Sequence, residues 1–147
     1  MMNNTPQTPP PLDYDYQAAA AKWTEEENYT LLDWFKKSLK DFSNFSGRSR
    51  RKEYWYFVLS VSLIAIVASA IDNIFDMDEV LVSLVGLIFF LPGLALSVRR
   101  LHDINKSGWW YLISFIPFVG SLILFIFACM DTKPNINQWG VPARRVI

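Results

Sequence analysis

Three long runs without a charged residue constrain the fold of this chain more than any other feature. They cover residues 54–71, 80–98 and 108–130, and they contain 18, 19 and 23 residues. At about 1.5 Å of rise per residue, helices of these lengths reach roughly 27 to 34 Å, which matches a hydrocarbon core about 30 Å thick. The rest of the chain is too short to form a polar shell around three such helices. The pattern therefore predicts an all-α integral membrane protein with a small bundle of three transmembrane helices.

The charges that flank the runs predict an orientation. Residues 36–52 carry seven Lys or Arg against one acid, whereas residues 72–79 carry four acids and no base. By the positive-inside rule the N-terminus lies in the cytoplasm. Three spans then place residues 131–147 outside, although this segment carries three basic residues against one acid. Because Pro117 and Gly120 interrupt the third run, a re-entrant hairpin that returns the tail to the cytoplasm stays open as the alternative to the three spans we expect.

The part before the membrane divides into two segments. Residues 1–23 are rich in Pro and polar residues, so we expect a disordered tail. Thr24 followed by Glu27 is a capping-box pattern, which predicts an amphipathic helix over residues 24–42, beginning at about residue 25. Its apolar side chains share one face opposite three lysines, and this pattern fits either the membrane interface or packing on the bundle. That face contains Leu31, Leu32, Phe35, Leu39 and Phe42.

Two basic motifs adjoin the first two runs. The sequence GRSRRKEYW leads into the first run, and RRLHD follows the second. If both lie on the cytoplasmic face, several guanidinium groups come together, and arginine forks suit phosphate or carboxylate. We expect a binding site for an anion or a lipid headgroup, against the alternative that these charges only set orientation. The candidate residues are Arg48, Arg50, Arg51, Arg99, Arg100, His102 and Asp103.

Several chemical functions do not fit the sequence. The chain has one His and one Cys, which excludes a zinc site built from several such ligands. It has no phosphate-binding glycine loop and no nucleic-acid-binding module. The three runs contain no charge that could form a proton relay. We expect no catalytic residue, no metal and no cofactor.

Four motifs in order resemble one family. They are GRSRRKEYW, RRLHD, SGWW at residues 107–110 and IPFVG at residues 116–120. Together they are similar to the domain-of-unknown-function 805 (DUF805) family of small, YhaH-like bacterial inner-membrane proteins, over about residues 42–142. In that family the third run is followed by an ending similar to Asn-x-Tyr-Gly-x-x-Pro, and here residues 137–142 have Trp139 in place of the tyrosine. The resemblance implies a bacterial inner (plasma) membrane location, multi-pass, and no established reaction.

Together these observations favour a lipid- or protein-binding accessory component over an enzyme. Its expected partners are membrane lipids, including anionic phospholipid, and a second copy or another membrane protein, but not nucleic acid. An oligomeric transporter or channel subunit is the second interpretation. An enzyme acting on a lipid headgroup or an isoprenoid phosphate is the third. The expected organisation is a tail (1–23), an amphipathic helix (24–42), a membrane domain (42–142) and a C-terminal tail (143–147).

Overall fold

The structure is a computed structural model, and it describes residues 16–145. This part of the chain contains helices joined by turns and a single isolated β-bridge, so the all-α class is confirmed. The elements in order are α1 (Tyr16–Glu27), α2 (Leu31–Lys40), α3 (Arg51–Phe75), α4 (Val80–Asp103), a 3₁₀ segment (Gly108–Phe115) and α5 (Val119–Cys129).

The first two apolar runs form the long helices α3 and α4, which pack along each other. Both are long and apolar enough to cross a membrane. Each extends beyond its uncharged run, and α4 continues through the RRLHD motif, which is its last turn and not a link. Large apolar side chains cover their outer surface, including Ile66 (65% exposed) and Leu87 (74% exposed). Such a surface suits lipid and not water.

A buried carboxylate joins α3 to α4. Asp72 accepts hydrogen bonds from the backbone nitrogens of Leu81 (3.1 Å) and Val82 (3.0 Å) in the first turn of α4. The residue that begins α4, Glu79, makes no capping hydrogen bond with its own side chain. Because the first N–H groups of a helix have no partner within it, Asp72 supplies the missing acceptor from the neighbouring helix.

The third run is not one helix, so the prediction of a single helix over residues 108–130 is wrong. The chain breaks at Pro117 and Phe118, where Phe118 adopts a positive φ of 62°. A Cβ atom at Gly120 would lie closer to the carbonyl of Ile113 than van der Waals contact allows. Only glycine lets the 3₁₀ segment and α5 pack together at this point. They form a hairpin that returns the chain to the end of α4, so the three-span count is not confirmed.

The prediction of one amphipathic helix over residues 24–42 is also wrong, because two helices occupy this region. The capping box lies at Thr30 and Asp33, where the Thr30 nitrogen donates to the Asp33 carboxylate at 2.9 Å. The Thr24 hydroxyl instead donates to the Ala20 carbonyl inside α1. Residues 16–23 are helical, contrary to the expected disorder, and residues 1–15 lie outside the described residues.

Helix α2 packs on the bundle. The Phe35 ring lies 5.9 Å from the Phe57 ring and 5.7 Å from the Phe89 ring, measured between centroids. Trp34 is completely buried, whereas Leu32 on the same helix is 61% exposed. Packing on α3 and α4 therefore accounts for part of the apolar face of α2 and leaves the rest uncovered.

Candidate functional site

The two basic motifs fold against each other. The backbone nitrogen of Ser49 donates to the carbonyl of Arg99 at 3.1 Å, which lays the segment before α3 along the last turn of α4. Gly47 allows this approach because its φ is +84°, a conformation that favours glycine. The expectation that GRSRRKEYW and RRLHD meet at one end of the bundle agrees with this geometry.

Asp103 is the centre of a buried ionic network at this end. Its carboxylate accepts hydrogen bonds from Arg48 Nε (3.0 Å), Arg100 Nη1 (2.7 Å) and Thr132 Oγ1 (2.7 Å). The backbone nitrogen of Ala143 donates to it as well, at 3.2 Å. Its side chain is completely buried. Two guanidinium groups and two further protein donors therefore form hydrogen bonds with this carboxylate.

The remaining N–H groups of the same two arginines bind backbone carbonyls. Arg48 donates to the carbonyls of Asp103 (3.0 Å), Lys133 (2.7 Å) and Asn135 (2.8 Å). Arg100 donates to the carbonyls of Ala128 and Met130. Both forks therefore hold the end of α5 and the C-terminal segment in place, and they point into the protein and not towards a ligand.

A second buried carboxylate, that of Glu53, forms ion pairs with one cation of α2 and one of α4. Glu53 lies 2.6 Å from Lys37 Nζ and 3.1 Å from Arg99 Nη1. Arg99 Nη1 also lies 3.3 Å from Asp41. Its Nε and Nη2 atoms are buried, and no described residue forms a hydrogen bond with them. Because the opposite charge lies beside it, the Arg99 guanidinium can stay buried at the end of α4.

A third carboxylate comes from α1. Glu26 lies 2.8 Å from Arg50 Nε and 3.1 Å from Lys37 Nζ. Burial lowers the pKa of Arg50, and the nearby Glu26 charge opposes that shift. Arg50 also donates to the Ala143 carbonyl at 2.7 Å, which ties α1, the start of α3 and the C-terminal segment together. We call this cluster the ionic cap: Glu26, Lys37, Arg48, Arg50, Glu53, Arg99, Arg100 and Asp103.

His102 is not paired with Asp103. Its Nδ1 atom lies 3.1 Å from the carbonyl of Gly47, and its ring stacks on Trp139 at 4.1 Å with an angle of 6° between the planes. The Asn137 amide donates to the His102 carbonyl at 2.9 Å. Since the imidazole makes no hydrogen bond to a carboxylate within residues 16–145, the two neighbours do not form an oriented acid–base pair there.

Arg51 differs from the other predicted site residues because it lies at the surface. Its side chain is 46% exposed, and it lies 3.5 Å from Asp131, which is itself half exposed. A groove of about 320 Å³ is lined by Arg51, Lys52, Trp55, Tyr56 and Cys129. This groove, which we call the basic groove, combines two cations with two aromatic rings.

Comparison with known proteins identifies the family. Residues 42–141 match the family described as "Protein of unknown function (DUF805)". The chain belongs to the DUF805 family. It is 39% identical over 114 residues to the inner membrane protein YhaH of Escherichia coli strain K12, covering 74% of this chain and 94% of that protein. It is 40% identical over 110 residues to the inner membrane protein YhaI of the same strain, covering 74% and 93%. No solved structure gives a significant match.

These relatives confirm the resemblance that the motifs indicated, and they connect the chain with the inner membrane. The chain is also 27% identical over 100 residues to the uncharacterized protein YiiR of the same strain, covering 67% of this chain and 64% of that protein. None of the names of these three relatives indicates a reaction. The long apolar helices agree with a membrane protein.

Only part of the ionic cap lies within the segment that matches the DUF805 family. Arg48, Arg100 and Asp103 lie inside residues 42–141, whereas Glu26 and Lys37 come from α1 and α2, outside the match. Sequence reasoning did not include either of these two residues among the site residues. It also missed Thr132 and the packing role of Trp139, although the family-like ending at residues 137–142 was a signal that this segment has a fixed position.

Proposed function

We propose that this protein is a non-enzymatic membrane accessory component that holds anionic phospholipid headgroups beside its ionic cap. The observation that carries the proposal is the division between inward and outward arginines. Buried ion pairs with Asp103 or Glu53 hold Arg48, Arg99 and Arg100 inside the protein. In contrast, the surface groove is lined by Arg51 and Lys52 together with Trp55. A basic groove with aromatic rings suits phosphate at the level of the headgroups, where Trp and Tyr are enriched.

The same division supports a non-enzymatic role. The carboxylates of Glu53 and Asp103 are completely buried and bound to cations. The His102 ring is bound to a backbone carbonyl and stacked on Trp139. General acid–base catalysis needs a group within hydrogen-bond reach of a substrate, and these groups are instead occupied by the protein itself.

The topology we propose has two full spans and a re-entrant hairpin. The 3₁₀ segment has 8 residues and α5 has 11, so each reaches about 16 Å, roughly half of the hydrocarbon core. The chain after α5 returns to the ionic cap, where Trp23 Nε1 donates to the Pro142 carbonyl at 3.1 Å. Both ends of the described chain then lie on one side, which the basic residues of 36–52 make the cytoplasmic side.

Reporter fusions test the topology. A fluorescent protein and a periplasmically active phosphatase are each fused after residue 147, and the same pair is placed between residues 76 and 79 as the control. Two spans plus a hairpin give fluorescence from the C-terminal fusion and phosphatase activity from the control. Phosphatase activity at both positions contradicts this topology.

Lipid enrichment tests the binding role. The protein is purified in mild detergent from membranes that contain phosphatidylglycerol and phosphatidylcholine, and the lipids retained are measured by mass spectrometry. Each Lys or Arg near the surface contributes about 1 kcal/mol, so Arg51→Gln with Lys52→Gln lowers the retained phosphatidylglycerol fraction several-fold. Lys22→Gln with Arg145→Gln removes the same charge outside the basic groove and serves as the control. An equal effect of both pairs contradicts a specific role for the groove.

A further inference from the structure

Two cavities adjoin each other beside the hairpin, away from the basic groove. One, of about 620 Å³, lies between α4, the start of the 3₁₀ segment and the C-terminal segment. The other, of about 860 Å³, lies between the turn after α4 and residues 133–139. Ser107, Gln138 and Trp139 line both. The two cavities share a wall, and neither shares a lining residue with the basic groove.

The smaller cavity is apolar. Its walls include Leu94 and Val98 of α4 and Trp109 and Leu112 of the 3₁₀ segment. Gly108 brings these walls together, since a Cβ atom there would lie 2.7 Å from Val98. A volume of this size falls within the roughly 300–1,000 Å³ of pockets that enclose small ligands. Because the walls belong to a spanning helix and an apolar half-helix, the cavity suits a hydrocarbon chain.

The larger cavity is polar and basic. Lys106 and Lys133 line it together with Asn105, Asn135 and Gln138, and no Asp or Glu is among its lining residues. Within residues 16–145 neither lysine forms an ion pair, although Lys106 Nζ lies 5.0 Å above the Trp110 ring. Backbone hydrogen bonds from Lys106 to Leu101 and from Lys133 to Asp103 fix both positions. Two ammonium groups can bind a phosphate, and the neutral amides beside them can bind hydroxyl groups of a headgroup attached to that phosphate.

The wall between the cavities has a fixed conformation. Trp139 stacks on His102, and its backbone nitrogen donates to the Asn137 side chain at 3.0 Å. Gly140 turns the chain with a φ of +116°, and residues 137 and 140 bond to each other through their backbones. A wall held in this way needs little rearrangement to accept a ligand, which lowers the cost of binding.

We propose that the two cavities together bind one anionic glycerophospholipid with a hydroxylated headgroup. One acyl chain lies against Leu94, Val98 and Leu112, and the phosphate lies between Lys106 and Lys133. The neutral amides of Asn105, Asn135 and Gln138 bind the headgroup hydroxyls. This site deepens the proposed function and rests on its topology, which puts the polar cavity at the headgroup level and the apolar cavity within the membrane.

Native mass spectrometry of the full chain in mild detergent tests the proposal. The probes are phosphatidylglycerol, phosphatidylcholine with the same chains, and free glycerol phosphate. We expect one phosphatidylglycerol per chain that stays bound when Arg51 and Lys52 are replaced by Gln. It binds at least about tenfold more tightly than phosphatidylcholine, because the choline cation is unfavourable beside the two lysines and has no hydroxyl groups for the amides to bind. Glycerol phosphate alone binds at least about tenfold more weakly, since it leaves the apolar cavity empty. Equal binding of the two lipids, or of the lipid and the free headgroup, overturns the proposal.

Variants separate this site from the basic groove. Lys106→Gln with Lys133→Gln removes the preference for phosphatidylglycerol, and Lys106→Arg with Lys133→Arg retains it, which shows that a loss is not a folding defect. If the Gln pair changes nothing and the Arg51→Gln with Lys52→Gln pair abolishes lipid selectivity, this site is overturned and the proposed function stands. If only the Lys106 and Lys133 pair matters, the site stands and the basic groove is wrong.

Discussion

Arg48 Nε lies 3.0 Å from Asp103 Oδ1, and both side chains are almost completely inaccessible. This pair joins the segment before α3 to the last turn of α4. A buried ion pair of this kind is costly to form, because both groups lose their hydration. It is tolerated here because Thr132, Ala143 and Arg100 supply the remaining hydrogen bonds to the same carboxylate. The charged side chains of the two motifs therefore hold neighbouring elements together inside the protein.

Replacing Asp103 tests this role. Asp103→Asn leaves Arg48 and Arg100 without a buried counter-charge, so we expect the free energy of unfolding to fall by about 3–5 kcal/mol. Asp131→Asn is the matched control, because Asp131 pairs with Arg144 at a half-exposed position, and it should cost no more than about 1 kcal/mol. Denaturant unfolding in detergent, followed by circular dichroism, measures both. Similar losses from both variants contradict the assignment.

Replacing Gly120 tests the packing of the 3₁₀ segment against α5. Gly120→Ala places a methyl group against the Ile113 carbonyl, and relieving such overlap typically costs about 1–3 kcal/mol. Gly86→Ala is the control, since nothing lies within 4 Å of the position that its Cβ would take. The melting temperature in detergent should fall for the first variant and stay constant or rise for the second. A stable Gly120→Ala protein would mean that the two halves of the third run do not pack in this way.

Replacing Asp72 tests the hydrogen bonds that connect α3 to the first turn of α4. Asp72→Ala removes the acceptor for the first turn of α4, and losing a helix cap costs about 0.5–2 kcal/mol. Asp72→Asn keeps one side-chain oxygen and should lose less. Amide hydrogen exchange at Leu81 and Val82 should increase in the order wild type, Asn variant, Ala variant. Unchanged exchange in the Ala variant would show that water or another group caps the helix.

The Asp131–Arg144 pair predicts a pH dependence. The hydrogen bond from Arg144 holds the pKa of Asp131 below its ordinary value of 3.8. Because the folded pKa is the lower one, the pair stabilises the protein above about pH 4 and loses this contribution as the pH falls through the folded pKa. The difference in melting temperature between wild type and Arg144→Gln should be constant from pH 7 to pH 5 and shrink towards pH 3. It should be small, since the pair is half exposed. A difference that grows on acidification contradicts the pairing.

The sequence predicted the long helices α3 and α4 because uninterrupted apolar runs permit only one backbone structure in lipid. It left the hairpin open as the alternative to a third span. Pro117 and Gly120 were visible, but a kink and a reversal have the same local signal, and only the contact of Gly120 with Ile113 distinguishes them. The break between α1 and α2 was missed for a similar reason. The capping box was predicted at Thr24 and Glu27, whereas it forms at Thr30 and Asp33.

The candidate site was predicted in part. The convergence of Arg48 with Asp103 follows from the positions of their motifs at the ends of neighbouring apolar runs. The partners Glu26 and Thr132 do not, because they are far away in sequence and reach the site through α1 and the segment after α5. Long-range pairs of this kind leave no periodic signal. Whether the seven predicted residues bind an anion stays a prediction.

The C-terminal segment affects the order in which the protein can be assembled during synthesis. Arg48 and Asp103 are translated long before Thr132 and Ala143, which complete the hydrogen bonds of the Asp103 carboxylate. Because chains emerge from the N-terminus onwards, α3 and α4 are complete while this carboxylate still lacks two of its donors. A chain interrupted before residue 132 would therefore keep a charged carboxylate without two of its hydrogen-bond donors.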